Sequence, residues 1–154
     1  MVTKITSRAF DECSNLIDIF ISKFVNEIEM RAFAKCKNLT NITIPKSVEK
    51  IGMYAFGECE QLNNITIPDF VVEIGMFAFS KCTGLTSLTI KNPKVIIGSD
   101  AFSECDELTT VNIIVDNKED SIDDIKKTLI ENGKIRSDAT FIPMTKEEFN
   151  QQFP

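Results

Sequence analysis

The chain has 154 residues, enough for one domain with a hydrophobic core, and its hydrophobic content of 43% is ordinary for a globular protein. Its net charge of −6 argues against nucleic acid as a partner, because phosphate binding requires a basic surface. Histidine, the commonest general base and metal ligand, is absent, so we expect no enzyme, no cofactor and no metal site. No apolar run approaches the roughly 18 residues of a membrane span, and the N-terminal residues do not form a signal peptide.

The chain opens in the middle of a repeat, because Val2 is in register with Val25 of the next period. The first period also departs from the pattern, with Ser22 and Phe24 in place of the proline and the small polar residue seen at Pro45 and Ser47. A repeat array without a polar cap exposes its core. Two interpretations are open: the chain is a fragment of a longer array whose signal peptide lies upstream, or its open edge pairs with a second copy.

A repeat of 23 residues organises the chain as far as Val115. Isoleucine, phenylalanine preceded by alanine, cysteine, leucine and a second isoleucine each recur five times at this spacing. These columns are Ile5, Ile28, Ile51, Ile74 and Ile97; Phe10, Phe33, Phe56, Phe79 and Phe102; Cys13, Cys36, Cys59, Cys82 and Cys105; Leu16, Leu39, Leu62, Leu85 and Leu108; and Ile21, Ile44, Ile67, Ile90 and Ile113. Five columns in register over five periods predict a repeat solenoid.

Each period predicts the same two elements. Ala55-Phe56-x-x-Cys59 places apolar residues on one face of a short helical turn. Leu62-x-x-Ile65-x-Ile67 alternates apolar and polar residues, as a strand with one buried face does, and Pro68 ends it. Periods stacked at about 4.8 Å would form a continuous parallel ladder and share one core.

The repeated cysteines, phenylalanines, methionines and glycines are predicted to be structural. A zinc site needs close ligand pairs such as C-x-x-C, and an odd number of cysteines leaves one unpaired, so we expect buried thiols. The phenylalanine column and the methionines are also assigned to packing, and the glycines to sharp backbone turns. The methionines are Met30, Met53 and Met76, and the glycines are Gly52, Gly75 and Gly98.

The columns stop after Val115, which divides the chain into a five-turn array at residues 1–115 and a segment at residues 116–154. A helix is predicted to begin in this segment with Ser121 as its N-cap and to end at Gly133. We interpret the segment as a small helical cap over the last repeat. A linker, or the edge of a following domain, is the alternative.

A second short helix is predicted to begin at Thr145. Glu148, three residues further on, completes a capping box. Phe149 and Phe153 are expected to be its apolar anchors.

The pattern Leu-x-x-Ile-x-Ile-Pro followed by Ile-Gly-x-x-Ala-Phe-x-x-Cys-x-x-Leu resembles the BspA-type leucine-rich repeat family over about residues 2–115. The resemblance implies an α/β repeat solenoid, a right-handed superhelix with parallel strands on one face and short helical turns on the other. Family members are mostly large surface proteins of bacteria and anaerobic protists, implicated in adhesion and protein binding. The resemblance therefore implies a non-enzymatic binding module of a surface or secreted protein. An intracellular scaffold or regulatory protein is the alternative, favoured by the absent signal peptide and the five cysteines.

The outward strand positions are the candidate partner-binding residues, because they form a nearly uncharged set of hydroxyls and amides. They are Thr40, Asn41, Thr43, Asn63, Asn64, Thr66, Thr86, Ser87, Thr89, Thr109, Thr110 and Asn112. Stacked threonine and asparagine ladders also stabilise a sheet by bonding one another, so a purely structural role is open. The functional interpretation is a recognition surface for a protein or a glycan, since solenoids commonly bind on their strand face.

Tyr54 and Phe77 precede the Ala-Phe pair in the third and fourth periods. We expect these two rings side by side on the outer face. They are a second candidate contact with a partner, and local packing against Met53 and Met76 is the alternative.

Overall fold

The 23-residue periods form successive coils of a solenoid in the computed structural model, which describes residues 1–154. One edge of each of the first five coils is a two-residue strand. These strands are β1 (Lys4–Ile5), β3 (Glu27–Ile28), β5 (Lys50–Ile51), β7 (Glu73–Ile74) and β9 (Ile96–Ile97). They pair in parallel in the order β1-β3-β5-β7-β9, with Ile28 opposite Ile51 and Ile51 opposite Ile74. The predicted solenoid of parallel strands is confirmed.

A second set of parallel strands forms the surface that we call the strand face. Its strands are β2 (Asp18–Ile19), β4 (Asn41–Ile42), β6 (Asn64–Ile67), β8 (Ser87–Ile90), β10 (Thr110–Ile114) and β11 (Thr140–Met144). They form two sheets, β2-β4 and β6-β8-β10-β11, and β4 does not pair with β6. The predicted continuous ladder is therefore wrong at this junction. The strands on its N-terminal side are short, and their inward residues Ile19 and Ile42 are only half-buried, whereas Ile65 is 2% exposed.

The segment between the two strands of each coil consists of hydrogen-bonded turns, so the prediction of a short helical turn is wrong. The backbone amides of this segment bond to the neighbouring coil: Phe33 N–H donates to Ala55 O, and Phe56 N–H donates to Ala78 O, both at 2.7 Å. Two residues per coil are also left-handed, such as Tyr54 at φ 56° and Glu58 at φ 61°. A single left-handed residue interrupts a right-handed helix.

The glycine column has a different role from the predicted one, because no glycine has a positive φ. A Cβ atom on Gly75 would lie 2.6 Å from Met53 N and 2.7 Å from Gly52 C, both backbone atoms of the preceding coil. The missing side chain lets the coils approach until Gly75 N–H donates to Ile51 O at 2.7 Å. Glycine is required here for close packing and not for a turn.

The core is built from columns of identical side chains. The five phenylalanine rings stack one on another, with neighbouring centroids 5.1, 5.3, 5.1 and 5.2 Å apart and planes within 7° of parallel. Phe33, Phe56, Phe79 and Phe102 are fully buried, as predicted. The methionine prediction is wrong, because Met30, Met53 and Met76 are 37%, 39% and 45% exposed. Their column follows the glycines and lies on the outer surface.

Residues after Val115 continue the stack, although the sequence columns stop there. β11 pairs with β10 in parallel, with Thr110 opposite Thr140. Phe102 N–H donates to Gly133 O at 2.8 Å, as Phe79 N–H donates to Ala101 O at 2.7 Å in the coil before. The longer connection includes the helix α1 (Asp123–Glu131), which buries Ile125 and Leu129.

The second helix, α2 (Lys146–Gln152), begins as predicted, with the capping box of Thr145 and Glu148. The N-cap of α1 is Ile122, one residue after the predicted Ser121, whose Oγ accepts a hydrogen bond from Asp123 N–H at 3.3 Å. The predicted anchoring by Phe149 and Phe153 is weaker than expected, because α2 has no buried residue: Phe149 is half-buried and Phe153 is 48% exposed. Neither helix is long and apolar enough to cross a membrane; α1, the longer one, has nine residues.

Candidate functional site

The twelve predicted partner-binding residues lie side by side on the strand face. Seven of them occupy strand positions and Thr43 directly follows β4, while Thr40, Asn63, Thr86 and Thr109 each directly precede a strand. Hydrogen bonds join neighbouring coils here: Thr86 Oγ1 donates to Asn63 O at 3.1 Å, and Asn112 Nδ2 donates to Thr89 Oγ1 at 3.3 Å. These residues therefore stabilise the stack, whatever they bind.

The helix α2 covers one end of the strand face. Its Gln151 and Gln152 line a cleft together with Ile142, the β11 residue opposite Asn112. Thr89 and Asn112, at outward-facing positions towards this end of the face, are buried, with exposures of 6% and 5%. The predicted surface is therefore smaller than expected, and these two residues are not accessible to a partner.

Three contacts hold α2 in this place. Lys118 Nζ lies 2.8 Å from Glu148 Oε1, and this hydrogen bond is the main reason that the pKa of Glu148 is below its ordinary value. Lys146 Nζ lies 3.9 Å from Asp69 Oδ2, in the loop after β6. Lys91 Nζ, after β8, lies 4.7 Å from the centre of the Phe149 ring. The helix thus reaches the loops that follow β6 and β8.

The N-terminal half of the strand face is uncovered, and the structure shows a groove here that was not predicted. One part, of about 530 Å³, is lined by Phe20 and Pro45 among others. A second part, of about 310 Å³, crosses the β4–β6 junction and is lined by Asn64 and Thr66. Both parts share Thr43. The signal in the sequence is Phe20, because this outward position is threonine or asparagine in the next four periods.

The aromatic pair Tyr54 and Phe77 stacks on the opposite side of the coils, with centroids 4.8 Å apart and planes 7° from parallel. The predicted side-by-side placement is confirmed, and both side chains are half-buried. Together with the exposed methionine column they form an apolar strip on the outer surface. This strip carries no hydrogen-bonding groups besides the Tyr54 hydroxyl.

The cysteine column is buried, apart from half-buried Cys13, and none of its members forms a disulfide. Each buried thiol donates to the carbonyl of a phenylalanine in the preceding coil, for example Cys59 Sγ to Phe33 O at 3.2 Å. Burial raises the pKa of Cys36 to about 11 and also raises the pKa of Cys59 and Cys82. These protonated thiols are poor nucleophiles. No group of three or more Cys, Asp or Glu side chains could hold a metal ion.

Comparisons with solved structures identify other solenoids of this kind. A leucine rich cell surface protein from Faecalibacterium prausnitzii A2-165 is 28% identical with a TM-score of 0.69, over 73% of this chain and 30% of that protein. The T. pallidum Leucine Rich Repeat protein is 25% identical with a TM-score of 0.72, over 94% of this chain and 64% of that protein. A leucine-rich repeat protein from Bacteroides ovatus ATCC 8483 is 30% identical with a TM-score of 0.63, over 87% of this chain and 34% of that protein. The chain thus spans less than two thirds of each of these proteins.

A comparison with curated proteins gives no match. The family model for the BspA type leucine rich repeat region, however, matches residues 3–136 in six copies. The match extends past Val115, so the repeats continue beyond the point where the sequence columns stop. This agrees with the additional coil in the structure. The chain therefore belongs to the BspA-type leucine-rich repeat family.

Proposed function

We propose that this chain is a non-enzymatic protein-binding module, used in adhesion by a larger surface or secreted protein. The observation that carries the proposal is the open half of the strand face, where Asn41, Thr43 and Asn64 are exposed on a rigid stack of coils. Uncharged amides and hydroxyls at fixed spacing suit hydrogen bonding to a protein surface, and a glycan offers similar groups. We therefore place the partner on this side of the molecule.

Two further observations support the proposal, and a third concerns the handedness of the fold. Leucine-rich repeats are interaction modules, and one similar protein is described as a cell surface protein. The protonated, buried thiols and the lack of histidine leave few groups for catalysis. The parallel connections favour a right-handed superhelix, because crossovers of this kind are right-handed in nearly all proteins.

We also infer that residues 116–154 cap the array of residues 1–115. The side chains of Ile125 and Leu129 join the common hydrophobic core, so the segment covers apolar surface at the end of the fifth coil. Charged side chains of α1, such as Asp123 and Lys127, remain exposed to solvent. A cap of this kind ends the array with a polar surface.

Site-specific crosslinking tests the binding face. A photo-reactive amino acid at Asn64, on the strand face, is compared with one at Met53, on the outer strip. Incubation with the extracellular protein fraction of the source cells should give a crosslinked partner from position 64 and none from position 53. Together with the probe at position 64, the substitution Thr86→Lys should reduce the yield without unfolding the chain. In the chain without a probe, Asn64→Lys should weaken binding of the captured partner. Crosslinking from position 53 alone, abolished by Phe77→Ala, would show that the outer strip is the binding surface.

The five free cysteines favour a second candidate, an intracellular scaffold, because free thiols persist in reducing compartments. Labelling of intact cells with a membrane-impermeant reagent separates the two candidates. A labelled full-length product supports the surface location, and labelling only after lysis supports the scaffold.

Pairing of two copies through the open edge of β1 and β2 is a further proposal about partners. Light scattering at micromolar concentration tests it. A monomer would exclude this pairing.

A further inference from the structure

We propose that the open half of the strand face binds an extended acidic segment of a partner protein. One large apolar side chain of that segment would occupy the groove beside Phe20, and its carboxylates would pair with lysines along the lip of the groove. The inference rests on the function proposed above and specifies the chemistry of the partner.

The groove provides an apolar contact that the rest of the strand face lacks. Phe20 is 90% exposed at an outward-facing position, although burying a phenylalanine ring is favourable. Ile19, Ile21 and Pro45 line the same cavity, whose volume of about 530 Å³ lies in the usual range of ligand pockets. The groove can therefore accept one large apolar side chain of the partner, and that side chain would cover Phe20.

The lip of the groove is basic in a protein whose net charge is −6. Lys23 and Lys46 line its first part, and Lys46 and Lys91 line its second part. These three lysines form no ion pair in the structure, whereas four lysines at other coil junctions do: Lys4 with Glu27, Lys35 with Glu12, Lys37 with Glu60 and Lys50 with Glu73. The lip thus carries three lysines whose charge no ion pair neutralises.

Two carboxylates also line the groove. Asp69 faces Lys146 of α2, which lies 3.9 Å away, and Asp18 stands at the beginning of β2. Two of the three lysines lie over aromatic rings: Lys23 Nζ is 5.4 Å from the centre of Phe24, and Lys91 Nζ is 4.7 Å from that of Phe149. Such contacts orient an ammonium group without neutralising it, so both lysines keep their charge for a carboxylate of the partner.

An extended peptide fits these features better than a sulfated glycan. The groove runs from coil 1 across the unpaired β4–β6 junction, where Asn64 and Thr66 offer hydrogen bonds to a peptide backbone. A sulfated glycan would satisfy the lysines, but it has no large apolar side chain to cover Phe20. Charge and apolar surface together therefore favour the acidic peptide.

Selection from a phage-displayed library of short random peptides on the immobilised full chain tests the proposal. Enriched peptides should carry Asp or Glu around a Leu, Ile, Met or Phe. The best of them, fluorescein-labelled, should bind the double variant Lys23→Glu/Lys46→Glu at least about fivefold more weakly than the unchanged chain. Phe20→Ser should weaken binding by about tenfold, through the lost apolar contact.

Matched controls come from elsewhere on the surface. Lys81→Glu alters an exposed lysine that forms no ion pair, and Ile96→Ser alters an apolar side chain that is 67% exposed on β9. Neither should change peptide affinity, and thermal unfolding of all variants checks that they fold.

Enrichment of basic peptides, no enrichment at all, or equal binding by the groove variants would overturn the proposal. Heparin binding that depends on the lysines but not on Phe20 would overturn it as well, in favour of a glycan. If crosslinking from position 64 still captured a partner in those cases, the proposed function would stand and only the acidic peptide would be excluded.

Discussion

Replacing Gly75 by alanine tests the physical reason for the glycine column. The new Cβ atom would lie 2.6 Å from Met53 N and 2.7 Å from Gly52 C. Both atoms belong to the backbone of the preceding coil, so neither can rotate away as the end of a side chain could. The coils must separate, which lengthens the hydrogen bond from Gly75 N–H to Ile51 O, now 2.7 Å.

The expected destabilisation follows from the cost of overpacking. Overpacked cores lose about 1–3 kcal/mol of unfolding free energy, and a clash with fixed backbone belongs near the upper end of that range. A loss of about 3 kcal/mol is a large part of a typical stability of about 5–15 kcal/mol. It corresponds to a decrease of about 6–12 °C in Tm for a chain of this size.

Gly57→Ala is the matched control. The nearest atom to its new Cβ would be Cδ1 of the Tyr54 side chain at 3.2 Å, which can move, and the preceding coil has Ala34 at the equivalent position. Its stability should stay within about 1 kcal/mol of the unchanged chain, since alanine also restricts the unfolded state. Urea unfolding followed by circular dichroism measures both variants.

At the junction between coils 1 and 2, Glu29 occupies the position that glycine has in the next three coils. Its N–H donates to Ile5 O at 2.9 Å, against 2.7 Å at Gly52 and Gly75. A side chain in this column is thus accommodated where the backbone hydrogen bond between the two coils is longer. Gly75 N–H, by contrast, lies 2.7 Å from Ile51 O. If Gly75→Ala were as stable as Gly57→Ala, contact with the preceding coil would not be the reason for the glycine.

Four other predictions test the core, the turns and the buried thiols. Phe56→Ala should cost about 3–5 kcal/mol of unfolding free energy, because it leaves a cavity inside the phenylalanine stack. Urea unfolding measures this loss, and a value below about 1 kcal/mol would contradict the close packing of the stacked rings. Lys81→Gly should stabilise the chain by about 0.5–1 kcal/mol, because glycine adopts the left-handed φ of 57° without strain. The control Lys94→Gly, at an exposed position with no positive φ, should not stabilise it. In the native protein a thiol reagent should modify half-buried Cys13 first, and rapid modification of all five thiols would contradict their burial. The contribution of the Cys36 thiol to stability should be constant below pH 9 and be lost as the pH rises towards 11, because the unfolded state releases this proton near pH 9.0 and the folded state only near 11. Chemical unfolding at stepped pH above 8 checks this.

The architecture could be predicted from the sequence because stacking repeats the same requirement in every coil. The inward residues Phe56, Cys59, Leu62 and Ile65 have the same neighbours above and below, so their columns are visible in the sequence and their burial is confirmed. The local backbone could not be predicted in this way. The left-handed residues, such as Tyr54 and Glu58, are neither glycine nor asparagine, and neighbouring coils hold them in place through backbone hydrogen bonds.

The additional coil was missed for a related reason. Thr140 lies opposite Thr110, a spacing of 30 residues where earlier coils have 23, because α1 is inserted between these strands. A search for columns at constant spacing cannot follow such an insertion. Pairing depends on backbone hydrogen bonds, so the sheet continues where the side-chain pattern does not.

The candidate site shows the same limit more sharply. Alternation along the strands is a local property, and it correctly placed Thr89 and Asn112 at outward-facing positions. Their accessibility depends on α2, which follows in the chain only after β11 and returns across the face. No repeat fixes the position of that helix. The surface left open therefore combines repeated polar residues, such as Thr43 and Asn64, with one departure from the pattern at Phe20. The repeat predicts the polar residues, and only the departure predicts an apolar contact beside them.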